Sequence, residues 1–100
     1  MHVINVNGTS QNRCRCGSWL DHWKRFSGSS LPMYCSETSC RKKPTTGAHV
    51  QSDGPVNGDW YIVPLCDDHN RRTGKTLELV AGTILVRANV HQTCEKRAVA

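Results

Sequence analysis

An α+β fold, a small single domain tied together by a bound metal, is what the sequence predicts, and three observations predict it. Leu, Ile, Val and Phe together make up only 19 of the 100 residues, at the edge of what can bury enough apolar surface to fold. Against that shortage stand 6 Cys, 5 His and 3 Trp, and a chain with a thin core and excess thiols ordinarily takes its missing stability from covalent or metal staples. Along the chain, short β-type runs are interleaved with segments of helical periodicity. The length suits one domain, read here as residues 1–94, with 95–100 as a frayed tail.

Residues 2–6 (His-Val-Ile-Asn-Val) read as a short strand ended by Asn7-Gly8. Ser18, three residues before Asp21, forms a capping pattern that opens a helix. Trp19, Trp23 and Phe26 then fall at i, i+4 and i+7, one helical stripe expected to face the core, and Gly28-Ser29-Ser30 closes the helix. Residues 46–51 and Trp60-Tyr61-Ile62-Val63-Pro64-Leu65 read as strands. The turn formers of 53–59 between them make a hairpin. Cys66 begins a short helix whose first turn holds Asp67 and Asp68, the charge sign that a helix N-terminus favours. Leu77-Glu78-Leu79 and Ile84-Leu85-Val86, on either side of Ala81-Gly82, suggest two further strands that complete a small antiparallel sheet.

The N-terminus has neither a basic start nor a long apolar stretch, so a cytoplasmic chain with reduced thiols is expected. No apolar run is long enough to span a bilayer, which excludes a membrane span, and no membrane partner is expected. Reduced thiols point to metal. Cys35 and Cys40 form C-x4-C, and after 25 intervening residues Cys66 and His69 form C-x2-H. Three thiolates and one imidazole suit a structural Zn2+, one per chain. The alternative is a set of reduced or disulfide-bonded cysteines, for which six thiols allow 15 pairings. Cys14, Cys16 and Cys94 are left over. The Cys14-x-Cys16 pair either replaces one member of the first quartet or begins a second metal site with His22, His91 or Cys94, and the alternative is that these are buried free thiols. His2, His22 and His91 otherwise read as surface or capping histidines. A ligand pair, a hairpin and a second pair at a helix N-terminus, joined by one ion, is the layout of a treble-clef ββα zinc finger, here with an added N-terminal strand and helix.

With Cys35 and Cys40 before the hairpin, Ala48-His49-Val50 on its first strand, and Leu65-Cys66-Asp67-Asp68-His69-Asn70 after it, residues 35–72 resemble the HNH, or His-Me finger, nucleases in their zinc-stabilised form. The resemblance implies that His49 is the general base activating water, and that Asn70 stands where a metal-binding residue usually stands. Ala48 takes the place of a common metal-binding Asp, and Tyr61 falls near the position of the Asn that orients the base. The longer string, with Cys-Gly-Ser-Trp-Leu-x-His-Trp at 16–23 and Ala-Asn-Val-x-x-Thr-Cys at 88–94, is also similar to a set of small, mostly bacterial proteins, a likeness that implies one integrated domain and no particular activity.

The formal net charge is +5, and the cations cluster. Arg41, Lys42 and Lys43 follow the first ligand pair, and Arg71, Arg72 and Lys75 follow the second. One ion joining the pairs would bring both clusters to one end, where they suit the phosphate backbone of DNA or RNA. Gly74-Lys75-Thr76 is not a phosphate loop, because the first Gly of that motif would fall at His69. The leading function is therefore a structural-zinc binding module that contacts nucleic acid or a protein partner. The alternatives are a metal-dependent nuclease using His49, and an accessory protein with no nucleic-acid role.

Overall fold

The computed structural model describes residues 2–6, 18–52, 60–72 and 74–88. In chain order the elements are β1 (His2–Asn5), α1 (Trp19–Ser27), β2 (Thr46–Ser52), β3 (Tyr61–Leu65), α2 (Asp67–Asn70), β4 (Thr76–Glu78) and β5 (Val86–Arg87). The strands form one antiparallel sheet in the order β4-β1-β2-β3-β5. The chain is thus a small α+β unit, as its mixed periodicities predict.

Helix α1 starts and stops where its caps place it. The Ser18 hydroxyl accepts a hydrogen bond from the Asp21 N–H at 3.1 Å, and Gly28 takes φ 68°, the left-handed conformation that ends helices cheaply only at glycine. The expected aromatic stripe is corrected in its membership. Trp23 is buried and Trp19 half-buried, but Phe26 is exposed, and His22, expected at the surface, is fully buried instead. His22 sits between Trp19 and Phe26, with ring centroids 5.0 Å from each. Its Nε2 lies 2.9 Å from the Arg87 carbonyl, which can only accept, so that nitrogen carries the proton.

Alternation along β2 and β3 divides the core between the two faces of the sheet. Val3, Ala48, Val50, Val63, Leu65 and Leu77 share one face with Cys35, Cys66 and Leu79. Ile62 and Val86 lie on the other, beneath Trp23 of α1. Strand β3 is buried along nearly its whole length because both of its faces are covered. Pro64 is tolerated there because β5 pairs only with Tyr61 and Ile62, leaving no strand opposite the missing N–H.

The two late strands complete the sheet as expected, on its opposite edges, β4 beside β1 and β5 beside β3. The physical reason is the face each apolar residue needs: Leu77 joins Val3, whereas Val86 pairs with Ile62 under α1. The second of them shortens to Val86–Arg87, and Ile84 is left exposed. Among the described residues, no helix is long and apolar enough to cross a membrane.

Candidate metal centre

Two ends of the β2–β3 hairpin converge on one point. Before β2, a tight loop is closed by the Cys35 N–H donating to the Lys42 carbonyl (2.8 Å) and the Cys40 N–H to the Glu37 carbonyl (3.1 Å). The Lys42 N–H points at the Cys40 sulfur, 3.4 Å away. After β3, Cys66 is the N-cap of α2, and Asn70 donates to its carbonyl at 3.0 Å. That single turn places His69 over Cys66, as the i, i+3 spacing dictates. The Ser36 and Thr45 N–H groups reach the Pro64 and Leu65 carbonyls (both 3.0 Å), docking the loop on the end of β3.

Cys35, Cys40, Cys66 and His69 therefore offer three sulfurs and one ring nitrogen that all lie within 4.8 Å of one another, a set that can hold a metal ion. Cys66 Sγ is 3.3 Å and Cys35 Sγ 3.6 Å from His69 Nδ1, while Cys40 Sγ is 3.8 Å from Cys66 Sγ. All three cysteines are free thiols. Burial pushes the Cys35 thiol up to about 12, and the neighbouring Cys66 and Cys40 sulfurs add to the rise. Burial also raises Cys66, but the backbone N–H groups of His69 and Asp68 and the Cys40 and Cys35 thiols outweigh it and hold the group below its ordinary value.

Two residues with no ligand-type spacing complete the centre. Glu37 Oε2 lies 3.3 Å from His69 Nε2, both side chains nearly buried. The Ser39 hydroxyl and N–H hold the carboxylate at 2.6 Å each and keep it below the usual carboxylate range. A carboxylate on Nε2 leaves the Nδ1 lone pair free to face the sulfurs. From the other side, Asn5 Nδ2, fully buried, donates to the His69 and Asn70 carbonyls at 2.9 and 2.8 Å, satisfying the open end of α2. The acid two positions after Cys35 was visible as a residue but not as a partner. Asn5, 64 positions from His69, carried no local signal at all.

The six basic residues are all exposed. An ion pair between Lys42 and Asp68 joins the two basic segments across 26 positions. Lys42 first, with smaller contributions from Arg71 and Arg72, holds the Asp68 carboxyl below its ordinary range, so the second basic segment adds its charge to the carboxylate that Lys42 pairs with.

His49 and Asn70 are not brought together. His49 points to the face covered by α1, its ring centroid 4.6 Å from Trp19 and 6.3 Å from Trp60. It is 5% exposed, and its Nε2 is buried without a hydrogen-bond partner. Burial, with His22 close by, lowers its pKa to about 4. Asn70 belongs to α2, which Asn5 ties to the opposite face, the one shared by Val3 and Val50. Cys14, Cys16, Cys94 and His91, expected as a second site, and the tail at 95–100 lie outside the described residues. Comparison of the chain with protein-family models, with curated proteins and with solved structures finds no match.

Proposed function

We propose that the domain is a zinc-stabilised binding module: Cys35, Cys40, Cys66 and His69 hold one structural Zn2+ in a treble-clef arrangement, and the basic face beside it contacts the phosphate backbone of DNA or RNA. The spacing of the four donors carries the reading. Zn–S and Zn–N bonds of about 2.3 and 2.0–2.1 Å put the edges of a tetrahedron at about 3.8 Å between sulfurs and about 3.6 Å between sulfur and nitrogen. Three of the six separations are 3.8 Å for the Cys40 and Cys66 sulfurs and 3.6 and 3.3 Å for sulfur and nitrogen, and all six lie within 4.8 Å. Three thiolates and an imidazole disfavour Mg2+ and Ca2+, which take oxygen. With four protein ligands no position is left for water, which makes the role structural. When bound, the ion supplies a cross-link between the two ends of the hairpin. The Lys42–Asp68 pair supports the second half of the reading, because it sets Arg41, Lys42 and Lys43 beside Arg71 and Arg72.

A binding role is favoured over hydrolysis by the placement of His49. Its imidazole is enclosed between Trp19 and Trp60, on the other face of the sheet from the helix carrying Asn70. Elemental analysis of protein purified under reducing conditions should find about one zinc per chain, and chelation should abolish the cooperative melt. Absence of metal, or oxidised thiols in the folded protein, would overturn the zinc reading. Binding to labelled duplex DNA and RNA should weaken linearly as log salt rises, without cleavage when divalent ions are added. Divalent-dependent cleavage that is lost in His49→Ala would instead select the nuclease.

A further inference from the structure

Apolar side chains are scarce in this sequence, yet four of the five large ones that stand exposed among the described residues line a single groove. They are Met33 (75% exposed), Tyr34, Val80 and Ile84. The groove, of about 710 Å³, runs between the 32–41 loop and the 80–84 turn, with buried Trp23 in its floor. Its walls are fixed by backbone hydrogen bonds. The Val80 N–H donates to the Ser36 carbonyl and the Cys35 N–H to the Lys42 carbonyl, both at 2.8 Å. Trp23 Nε1–H donates to the Ile84 carbonyl at 2.8 Å, anchoring the turn to α1. A chain with little apolar surface to spare has no stability reason to leave four such residues together in water, and a contiguous exposed apolar patch marks a contact site.

Charge narrows the occupant. Two charged side chains line the groove, Glu37 and Arg41. The Glu37 carboxylate is 13% exposed and already engaged by Ser39 and His69, whereas Arg41 is exposed. Among the described residues, what the groove offers a ligand is therefore apolar surface from Met33, Tyr34, Val80 and Ile84, serine and threonine hydroxyls along its sides, and one guanidinium. A nucleic-acid strand would need successive aromatic faces for its bases, and Tyr34 is the one exposed aromatic in the lining. We infer that this groove docks a segment of a partner protein whose apolar side chains enter it and whose neighbouring Asp or Glu pairs with Arg41. The inference goes beyond the nucleic-acid face and stands without it, though it shares Arg41 with that face; with the metal centre it shares the loop that carries Cys35 and Cys40, both of which line the groove.

The test is selection of a random dodecapeptide display library on the immobilised full chain, followed by solution binding of a synthetic copy of the enriched peptide. The expected consensus holds at least two apolar residues next to an Asp or Glu. Its affinity should fall roughly ten-fold or more in Met33→Asp and in Ile84→Asp. Arg41→Glu should weaken the peptide but leave its Asn or Gln version unaffected. Met33 is exposed enough for Met33→Asp to keep the fold, checked by unchanged metal content and melting. A basic consensus, no enrichment, or binding indifferent to both Asp variants overturns the inference. So does a wild-type dimer that Ile84→Asp dissociates, or a single-stranded oligonucleotide whose affinity falls in Met33→Asp. The nucleic-acid face is read separately, through Arg71 and Arg72.

Discussion

Glu37 and His49 are the two side chains whose surroundings say most about the chemistry. Glu37 holds His69 by Nε2 and is itself held by Ser39, so it orients the imidazole rather than ligating. Glu37→Gln keeps the shape but loses the charge that favours the Nε2–H form. It should lower metal affinity roughly 10–100-fold in competition with a chromophoric chelator, with the fold retained at saturating zinc. His49 carries a different signature. Its pKa is about 4 in the folded chain against 6.5 ordinarily, because burial disfavours the imidazolium and the neighbouring groups, Trp19, Trp60 and His22, include no acid. Between those values the unfolded chain binds the proton and the folded chain does not. Stability is therefore lost as pH falls from about 6.5 to about 4 and is not lost further below, by up to about 3 kcal/mol. In the proposed zinc-bound form, proton competition for the ligating sulfurs acts in parallel. His49→Phe lacks the titrating group, so the wild-type denaturant midpoint should fall relative to that of His49→Phe as pH drops through this window, and parallel curves would refute it.

At the level of elements, the seat of α1 on β2 depends on one missing side chain. A Cβ on Gly47 would lie 2.4–2.6 Å from the backbone of Trp19 and Leu20, closer than any real contact. The obstacle is backbone, which cannot swing aside. Gly47→Ala should displace the helix and cost about 2 kcal/mol or more, seen as a lower melting temperature and altered tryptophan fluorescence. The helix is also fastened to the far edge of the sheet by His22 to the Arg87 carbonyl and by Trp23 to the Ile84 carbonyl. These polar ties compensate for a stripe that buries only part of its aromatic surface, since Phe26 remains at 36% exposure.

On the scale of the whole molecule, one end of the sheet gathers the four metal ligands and the cations beside Asp68, while the other face is sealed by α1. An ion held by the proposed quartet would, in that arrangement, stabilise the fold and position charge at once. Replacing Arg71 and Arg72 by Gln should reduce the slope of log affinity against log salt by about 2 for nucleic acid, roughly one per lost phosphate contact. An unchanged slope would place the contact elsewhere.

The ligand quartet, the hairpin and both helix starts were legible in the chain, because each rests on a local rule. The i, i+3 spacing of Cys66 and His69, the Ser18 cap and the continuous apolar run of 60–65 act within a few residues. The roles of Asn5, Glu37, His22 and His49 were not legible. Each is defined by a partner brought near by folding: Asn5 by the carbonyls of α2, Glu37 by the ring of His69, His22 by the Arg87 carbonyl and His49 by Trp19. The order of the sheet was hidden for the same reason. Leu77 and Val86 look alike along the chain, and only the competition for two differently covered faces sends them to opposite edges. Short-range stereochemistry and ligand spacing thus set the elements and the metal quartet. Long-range packing decided which polar groups were buried, which histidine lost contact with water and where the spare apolar surface remained.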